Sequence, residues 1–364
     1  MIPFIRPYFD EDDLEAVKQV MQSGWVAQGP KVEEFEEAIC KYLGCKHAVT
    51  VTNCTLALYL SLLACGIGEG DEVIIPDYTF PATGLAVLRA GATPILVDVD
   101  PVTYNIQPSA IEEAITEHTA AIIPVHLFGR SAEMYQVMAI AEDHCLSVIE
   151  DAACSLGTFF DTQRVGTFGE IGCFSLHASK GITTGEGGIC VTNNALHAEN
   201  IRRLSCFGDE RTYRRGKKWR PFNYDPMALN YKMSDITAAI GLSQLKKIDK
   251  LIDWRIRVAA QWDDVIKSDA VLKDSLLPPE LLINSHEHIY QSYVCNVVKG
   301  DRQQLVNYFH SKGFATGIGT HACHMYLDTF PEVRHSLVNS HHLFHNTISL
   351  PRYYGLDVFE EWYK

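Results

Sequence analysis

From residue 47 to about 150 the chain alternates short β-branched runs with helical stretches: HAVTVT, CTLALYLSLLACG, EVIIP, PATGLAVLRAG, TPILVDV, SAIEEAI, AAIIPV, EMYQVMAIAEDH and LSVIE. That rhythm predicts an α/β fold, a mostly parallel sheet covered by helices. Runs such as EVIIP and AAIIPV are apolar throughout instead of alternating, as strands buried on both faces require. Such a sheet collects ligands at the carboxyl ends of its strands. The residues that follow each run are therefore where the chemistry is expected.

The pattern changes near Ser234. Ser234 and Asp235 read as a helix start, and Ile236, Ile240, Leu245, Ile248, Ile252 and Ile256 continue an apolar stripe at helical spacing, which predicts one long helix leaving the first unit. Beyond about residue 260, IYQSYVCNVV reads as a strand and RQQLVNYFHSKG as a helix. The expected organisation is a large α/β unit over residues 1–250 and a smaller α+β unit over 251–364. At 364 residues and 47% hydrophobic the chain is long and apolar enough for two such units.

A formal charge of −14 disfavours nucleic acid or an anionic membrane as partner, since both reward clustered Lys and Arg. Any anionic ligand must then be held by a local site. The eleven cysteines, from Cys40 to Cys323 with no CxxC pair, read as free thiols in a reducing, cytoplasmic setting. MIPFIRPYFDEDD lacks the cationic segment and apolar core of a secretory signal. The most apolar region, Ala48 to Gly66, is interrupted by Thr52, Asn53 and Thr55 and falls short of the roughly 18 apolar residues of a membrane span.

Asp151 ends the run LSVIED, and Lys180 follows in CFSLHASKGITTGEGG. A strand-end acid with a lysine on a later turn is the pair that pyridoxal phosphate chemistry uses. The amine anchors the cofactor aldehyde, and the carboxylate keeps the pyridine nitrogen protonated so that the ring accepts electrons. Either residue alone reads as well as a solvated charge or a helix cap. Asn53, Cys54 and Thr55 stand where HAVTVT turns into a helix, a place that suits a phosphate. Asn53 or Thr55 serves equally as a plain cap. In PDYTFPAT, Phe80 reads as a core aromatic or as a ring stacked on a flat cofactor. The glycines of GITTGEGG permit positive φ and close backbone approach, and a tight hairpin accounts for them equally.

The succession SGWVAQGPKVEEFE, TNCTLALYLSL, PDYTFPAT, ILVDVDPVTYNI, PVHLFG, IEDAACSLG, SLHASKGITTGEGG and LNYKMSDITAAIG resembles the DegT/DnrJ/EryC1/StrS family of pyridoxal-phosphate-dependent sugar aminotransferases, enzymes of fold type I. The resemblance covers about residues 2 to 245. It implies that Lys180 is the Schiff-base lysine and proton shuttle, that Asp151 partners the pyridine nitrogen, and that Phe80 stacks on the ring. It places Cys54, Thr55 and Ser175 at phosphate-binding positions, with Asn53 beside them. Asn230, in LNYKMSD, is similar to the asparagine that reaches the phosphate of the neighbouring subunit, which implies a homodimer with a shared active site. The implied reaction moves an amino group from an amino acid, L-glutamate by resemblance, to a keto sugar carried by a nucleoside diphosphate. Two positions depart from the family pattern. Cys154 stands where Gln or His is common and a ring hydroxyl is met, and a thiol is the poorer hydrogen-bonding group. GIGTHACHMY, residues 317–326, matches the family's small-domain element only loosely.

The alternatives are a sugar dehydratase of the same family, whose members tend to carry histidine in place of Lys180, a different fold type I enzyme such as a lyase or desulfurase acting on amino acids, which the DYTFPAT and TTGEGG segments disfavour, and a cofactor-binding regulator without turnover. His321, His324, His335, His341, His342 and His345 invite a metal reading, but no Asp, Glu or Cys stands at a convincing spacing, and no metal is expected. His126, His177 and Glu186 lie near the expected site, where structural roles serve as well. The basic run Arg211, Arg214, Arg215, Lys217, Lys218 and Arg220 reads as a solvated loop or as a diphosphate contact.

Overall fold

The computed structural model describes residues 1–208, 224–282, 286–330 and 333–364. The six basic residues of the run at 211–220 lie outside the described residues. In the first unit the strands are β1 (His47–Val51), β2 (Glu72–Pro76), β3 (Thr93–Val97), β4 (Thr119–Ile122), β5 (Ser147–Asp151), β6 (Phe159–Phe160), β7 (Gln163–Arg164), β8 (Ile171–Ser175) and β9 (Gly188–Thr192). Seven of them form one sheet in the order β1-β9-β8-β5-β4-β2-β3, while β6 and β7 pair apart from it. The run from β3 to β8 is parallel, and β9 joins antiparallel to both β8 and β1. The fold is thus the expected one, with an antiparallel strand inserted beside β1.

Burial follows from the composition of the runs. Every residue of β2 and β8 is buried. The helix Cys54–Ala64 is apolar nearly all round because it lies between the sheet and further helices. Its Leu58 and Leu62 pack with Val73, Ile149 and Cys173, while Ile74, Ile95, Ile122 and Val148 form a second core on the other face. Consecutive strand residues point to opposite faces, so a double-sided sheet needs apolar residues at every position.

That alternation separates two neighbouring carboxylates at the end of β5. Glu150, fully buried, accepts the backbone N–H groups of Gly166 (2.6 Å), Phe168 (2.7 Å) and Gly169 (2.8 Å). It also accepts His126 Nε2 at 3.0 Å. His126 Nδ1 receives the Ala132 N–H at 3.1 Å, so the ring proton sits on Nε2. Asp151 faces the other way.

The second unit contains β10 (Leu276–Leu277), β11 (Tyr293–Val297), β12 (Gly317–Ile318) and β13 (Thr347–Leu350), all antiparallel in the order β10-β11-β13-β12. Ile348 and Leu350 enter a core with Trp262, Phe309 and Phe314. Their alternates, Thr347 and Ser349, face the first unit: Thr347 Oγ1 meets the Tyr78 hydroxyl at 2.8 Å. The first residues of the chain pair here too, with Ile2 bridging Phe314.

One expectation is corrected. The stripe from Ile236 to Ile256 belongs to two helices, Asp235–Leu245 and Ile248–Ser268. At the break the Lys247 N–H bonds back only three residues, to the Gln244 carbonyl (3.0 Å). Its ammonium is drawn to Asp10 and to Asp13, the latter at 3.0 Å. Apolar spacing survives such a break, because both helices pack on the same core. We propose the division into units 1–250 and 251–364, with the seven-stranded sheet and the β6–β7 pair in the first and the four-stranded sheet in the second.

Glu150→Ala would strand three backbone donors and His126 in the interior. It is expected to lower unfolding free energy by about 3–5 kcal/mol, read as a fall in the urea midpoint. A change within error would show that the loop after β7 is held by other contacts.

Candidate active site

The carboxyl ends of the parallel strands open on a cavity of about 380 Å³. Asp151 from β5, Ser175 from β8, Lys180 from the β8–β9 connection, Cys154, Phe80, and Asn53, Cys54 and Thr55 from the start of the helix after β1 all line it. His177 and Glu186 line it as well, whereas His126 is committed to Glu150. Asn230 lies on the exposed surface and is not among the lining residues.

Asp151 sits at the buried end of the cavity. Thr83 Oγ1 donates to Oδ2 at 2.8 Å and the Ala153 N–H to Oδ1 at 3.1 Å. Burial pushes the carboxyl above its usual range, and these two donors, with Lys180, pull against that rise. Both oxygens are oriented, and each keeps a lone pair for a further donor.

The turn at residues 53–55 meets both sequence readings. Asn53 Oδ1 caps the helix by accepting the Leu56 N–H at 3.0 Å. The N–H groups of Cys54 and Thr55 belong to the first turn, where no carbonyl of the helix can reach them. This turn packs directly on β9: a Cβ at Gly188 would stand 2.3 Å from the Asn53 carbonyl oxygen, so no larger residue fits. The glycine-rich segment is both the β8–β9 hairpin and the carrier of Lys180, and Gly185 adopts φ +84° within it.

Lys180 Nζ donates to Cys154 Sγ at 3.2 Å. The residue that departs from the family pattern is thus the lysine's own partner. Burial works against the ammonium, but Cys154, then Cys54 and Asp151, outweigh it and keep the amine above its ordinary value. Phe80 is 62% exposed and lines the cavity, with the His321 ring near perpendicular to it at 5.7 Å.

The opposite wall comes from the second unit and was not legible beforehand. It includes Gln291, Ser292, Thr320, Ser349 and Arg352. Arg352, 5% exposed, donates to the carbonyl of Gln291 and to Ser292 Oγ (3.0 Å). Burial, followed by the like charge of Arg255, lowers its guanidinium to about 9, so it remains cationic at neutral pH. No carboxylate lies within ion-pairing distance of it among the described residues. The Ser349 hydroxyl is buried without a hydrogen-bond partner. Thr83 was also missed, although PDYTFPAT places it one turn from Thr79; its signal was a polar residue on a helix opening at a strand end.

The histidines resolve differently. No group of three or more His, Cys, Asp or Glu side chains arranged to hold a metal occurs among the described residues. Instead, His324 is bound to buried Asp77 through its backbone N–H (2.7 Å, to Oδ1) and through Nδ1 (2.7 Å, to Oδ2), with His341 Nδ1 3.2 Å from its Nε2. This pair ties the segment carrying His321 to the strand end that leads to Phe80.

All eleven cysteines are thiols, and no helix among the described residues is long and apolar enough to cross a membrane. The profile of the DegT/DnrJ/EryC1/StrS aminotransferase family matches residues 7–360. The uncharacterised protein MJ1066 of Methanocaldococcus jannaschii is 36% identical over 363 residues, 97% of this chain and 92% of that one. PseC of Helicobacter pylori, an aminotransferase involved in pseudoaminic acid biosynthesis, superposes with a TM-score of 0.88 at 28% identity, over 98% of this chain and 95% of the other. The GDP-4-keto-6-deoxy-D-mannose-3-dehydratase of E. coli, solved with hydrated PLP, gives 0.89 at 25% identity, over 99% and 97%.

Hydrogen bonding from Asp77 raises the His324 imidazole above its ordinary value, against an opposing effect of burial. A raised folded-state pKa stabilises most below the unfolded value of about 6.5, and the contribution fades as pH rises through the folded value. The stability gap between wild type and His324→Gln should therefore be widest near about pH 5.5 and narrow towards about pH 8.5. Urea midpoints across that range would show it, and a constant gap would exclude an ionic contribution.

Proposed function

We propose that this chain, which belongs to the DegT/DnrJ/EryC1/StrS aminotransferase family, transfers the amino group of L-glutamate to a keto sugar carried by a nucleoside diphosphate. It is a pyridoxal-phosphate-dependent aminotransferase of the sugar aminotransferase family. The observation that carries the assignment of its site is the convergence of Asp151, Lys180 and the helix start at residues 53–55 on one cavity.

The residues present suit the cofactor. The free N–H groups of Cys54 and Thr55 stand at a cavity that Ser175 also lines, and they would hold a phosphate there. Gly188 is what lets that turn sit against the lysine connection. Asp151, oriented by Thr83 and Ala153, holds a proton on the ring nitrogen. Phe80 covers a ring face. When bound, the cofactor supplies an aldehyde for amines and an electron-accepting ring.

Lys180 would be the anchoring amine and, as a free neutral amine, would carry a proton to and from the reacting carbon. Cys154 Sγ, 3.2 Å from Nζ, would hold that amine when it is not engaged by the cofactor. The donor's α-carboxylate is received by Arg352, with Ser292 and the unpartnered Ser349 hydroxyl beside it. Asn230, outside its own cavity, serves the neighbour's phosphate in a homodimer. A lysine at position 180, where dehydratases of the family tend to carry histidine, supports amino transfer over the dehydratase alternative.

Protein supplied with pyridoxal phosphate should show a visible absorption band that L-glutamate shifts to the ultraviolet. Lys180→Ala should lose this response and at least about 10³-fold in turnover while melting near the wild-type temperature. Substantial transamination by the variant, or no glutamate-dependent change in the wild type, would overturn the reading.

A further inference from the structure

Lys180 belongs by sequence to the β8–β9 connection, yet its backbone is held from the second half of the molecule. Three successive carbonyls accept hydrogen bonds from side chains beyond residue 250. Gln291 Nε2 donates to Ser179 O (2.9 Å), Arg255 Nη2 to Lys180 O (2.9 Å) and Arg255 Nη1 to Gly181 O (3.0 Å). Within the connection itself the ties run to His177, from the Lys180 N–H to its carbonyl at 2.9 Å and from the Ser179 N–H to its Nδ1 at 3.2 Å. The peptide groups on both sides of the lysine are thus clamped to the helix Ile248–Ser268 and to the residue pair before β11.

Arg255 has no carboxylate within ion-pairing distance among the described residues. Its charge is met by the two carbonyl dipoles instead. A guanidinium that exchanges water for two backbone carbonyls gives up hydration without gaining an ion pair. That choice makes geometric sense, since the planar fork fixes two neighbouring carbonyls at once, which a lysine ammonium does not. A Cβ at Gly181 would stand 3.5 Å from Nη1, an ordinary contact, so the approach of the guanidinium does not depend on a glycine there. Gln291 is fixed in turn by the guanidinium of Arg352 on its carbonyl and by the Ser292 hydroxyl on its Oε1 (3.0 Å).

We propose that Arg255 is a positioning residue for Lys180: its two-pronged hold on the Lys180 and Gly181 carbonyls sets where Nζ stands relative to Cys154 and Asp151, so the lysine follows the helix Ile248–Ser268. The proposal rests on the reading of Lys180 as the cofactor anchor. Arg255 is not among the residues lining the cavity of Asp151 and Lys180. It acts through the backbone of a residue whose reactive atom hangs on a flexible stem, where a misplacement of about 1 Å costs about 10²-fold in rate.

The experiment compares Arg255→Lys, Arg255→Met and Gln291→Ala with wild type, each supplied with pyridoxal phosphate. Total bound cofactor is measured, then the fraction fixed to the Lys180 peptide by borohydride, then kcat and KM for L-glutamate, and the melting temperature without cofactor. Arg255→Lys keeps the charge and loses the fork. It is expected to bind cofactor and melt like wild type, to show a lower borohydride-fixed fraction, and to lose about 10- to 100-fold in kcat with KM within about threefold. Gln291→Ala should show the same split at smaller size. Arg255→Lys matching wild type in fixed fraction and kcat would overturn the proposal. So would losses in any variant that only track cofactor content and melting temperature. Fixation of wild-type cofactor at another lysine would sink both this inference and the function it rests on, whereas fixation at Lys180 leaves that function standing whatever the Arg255 variants do.

Discussion

Strand β5 ends in two carboxylates on opposite faces of the sheet, and the rest of the site depends on that division. The period of two turns Glu150 towards the loop after β7, where it binds three N–H groups and His126. Asp151 is turned towards the cavity, with Thr83 to orient it. A slip of one residue in the register of β5 against β8, where Ile149 stands opposite Ile171 and Asp151 opposite Cys173, would exchange the two. The acid at the floor of the cavity and the loop that supports the neighbouring strands are therefore set by one register.

Charge is distributed with the same economy. The chain carries a formal −14, yet the groups around the inner cavity wall include Lys180, Arg255 and Arg352, with Asp151 the one buried carboxylate among the residues lining it. Enclosed cations without carboxylate partners favour anionic ligands locally, whatever the overall charge. A phosphate-bearing cofactor and a carboxylate-bearing donor are the ligands of the proposed function, and both meet that field. The departure at Cys154 belongs to the same wall: its sulfur offers Lys180 an acceptor 3.2 Å away.

Local periodicity determined much of the architecture. EVIIP, TPILVDV, AAIIPV and LSVIE become parallel strands because continuous apolar runs can be satisfied only inside a double-sided sheet. The order of the turn at 53–55, Asp151 and Lys180 along the chain followed from the places where such strands end. The stripe from Ile236 to Ile256 located the right buried face but not the break at Lys246 and Lys247. Apolar spacing reports which side packs, whereas the carboxylates that Lys247 meets at the break, Asp10 and Asp13, lie more than 230 residues away in sequence.

The sequence by itself determined the fold class, the family, and Asp151, Lys180 and the turn at 53–55 as residues of one cavity, since each of these rests on contacts between residues near in the chain or on a motif order. Tertiary structure alone decided the other wall. Arg255, Gln291, Ser349 and Arg352 carry no local signal, and their neighbours on the first unit lie 74 or more residues away, as from Arg255 to Gly181. Packing the second sheet over the first brings them to the cavity. What a buried guanidinium meets there, carbonyls or an open site, follows from that packing and from no pattern along the chain.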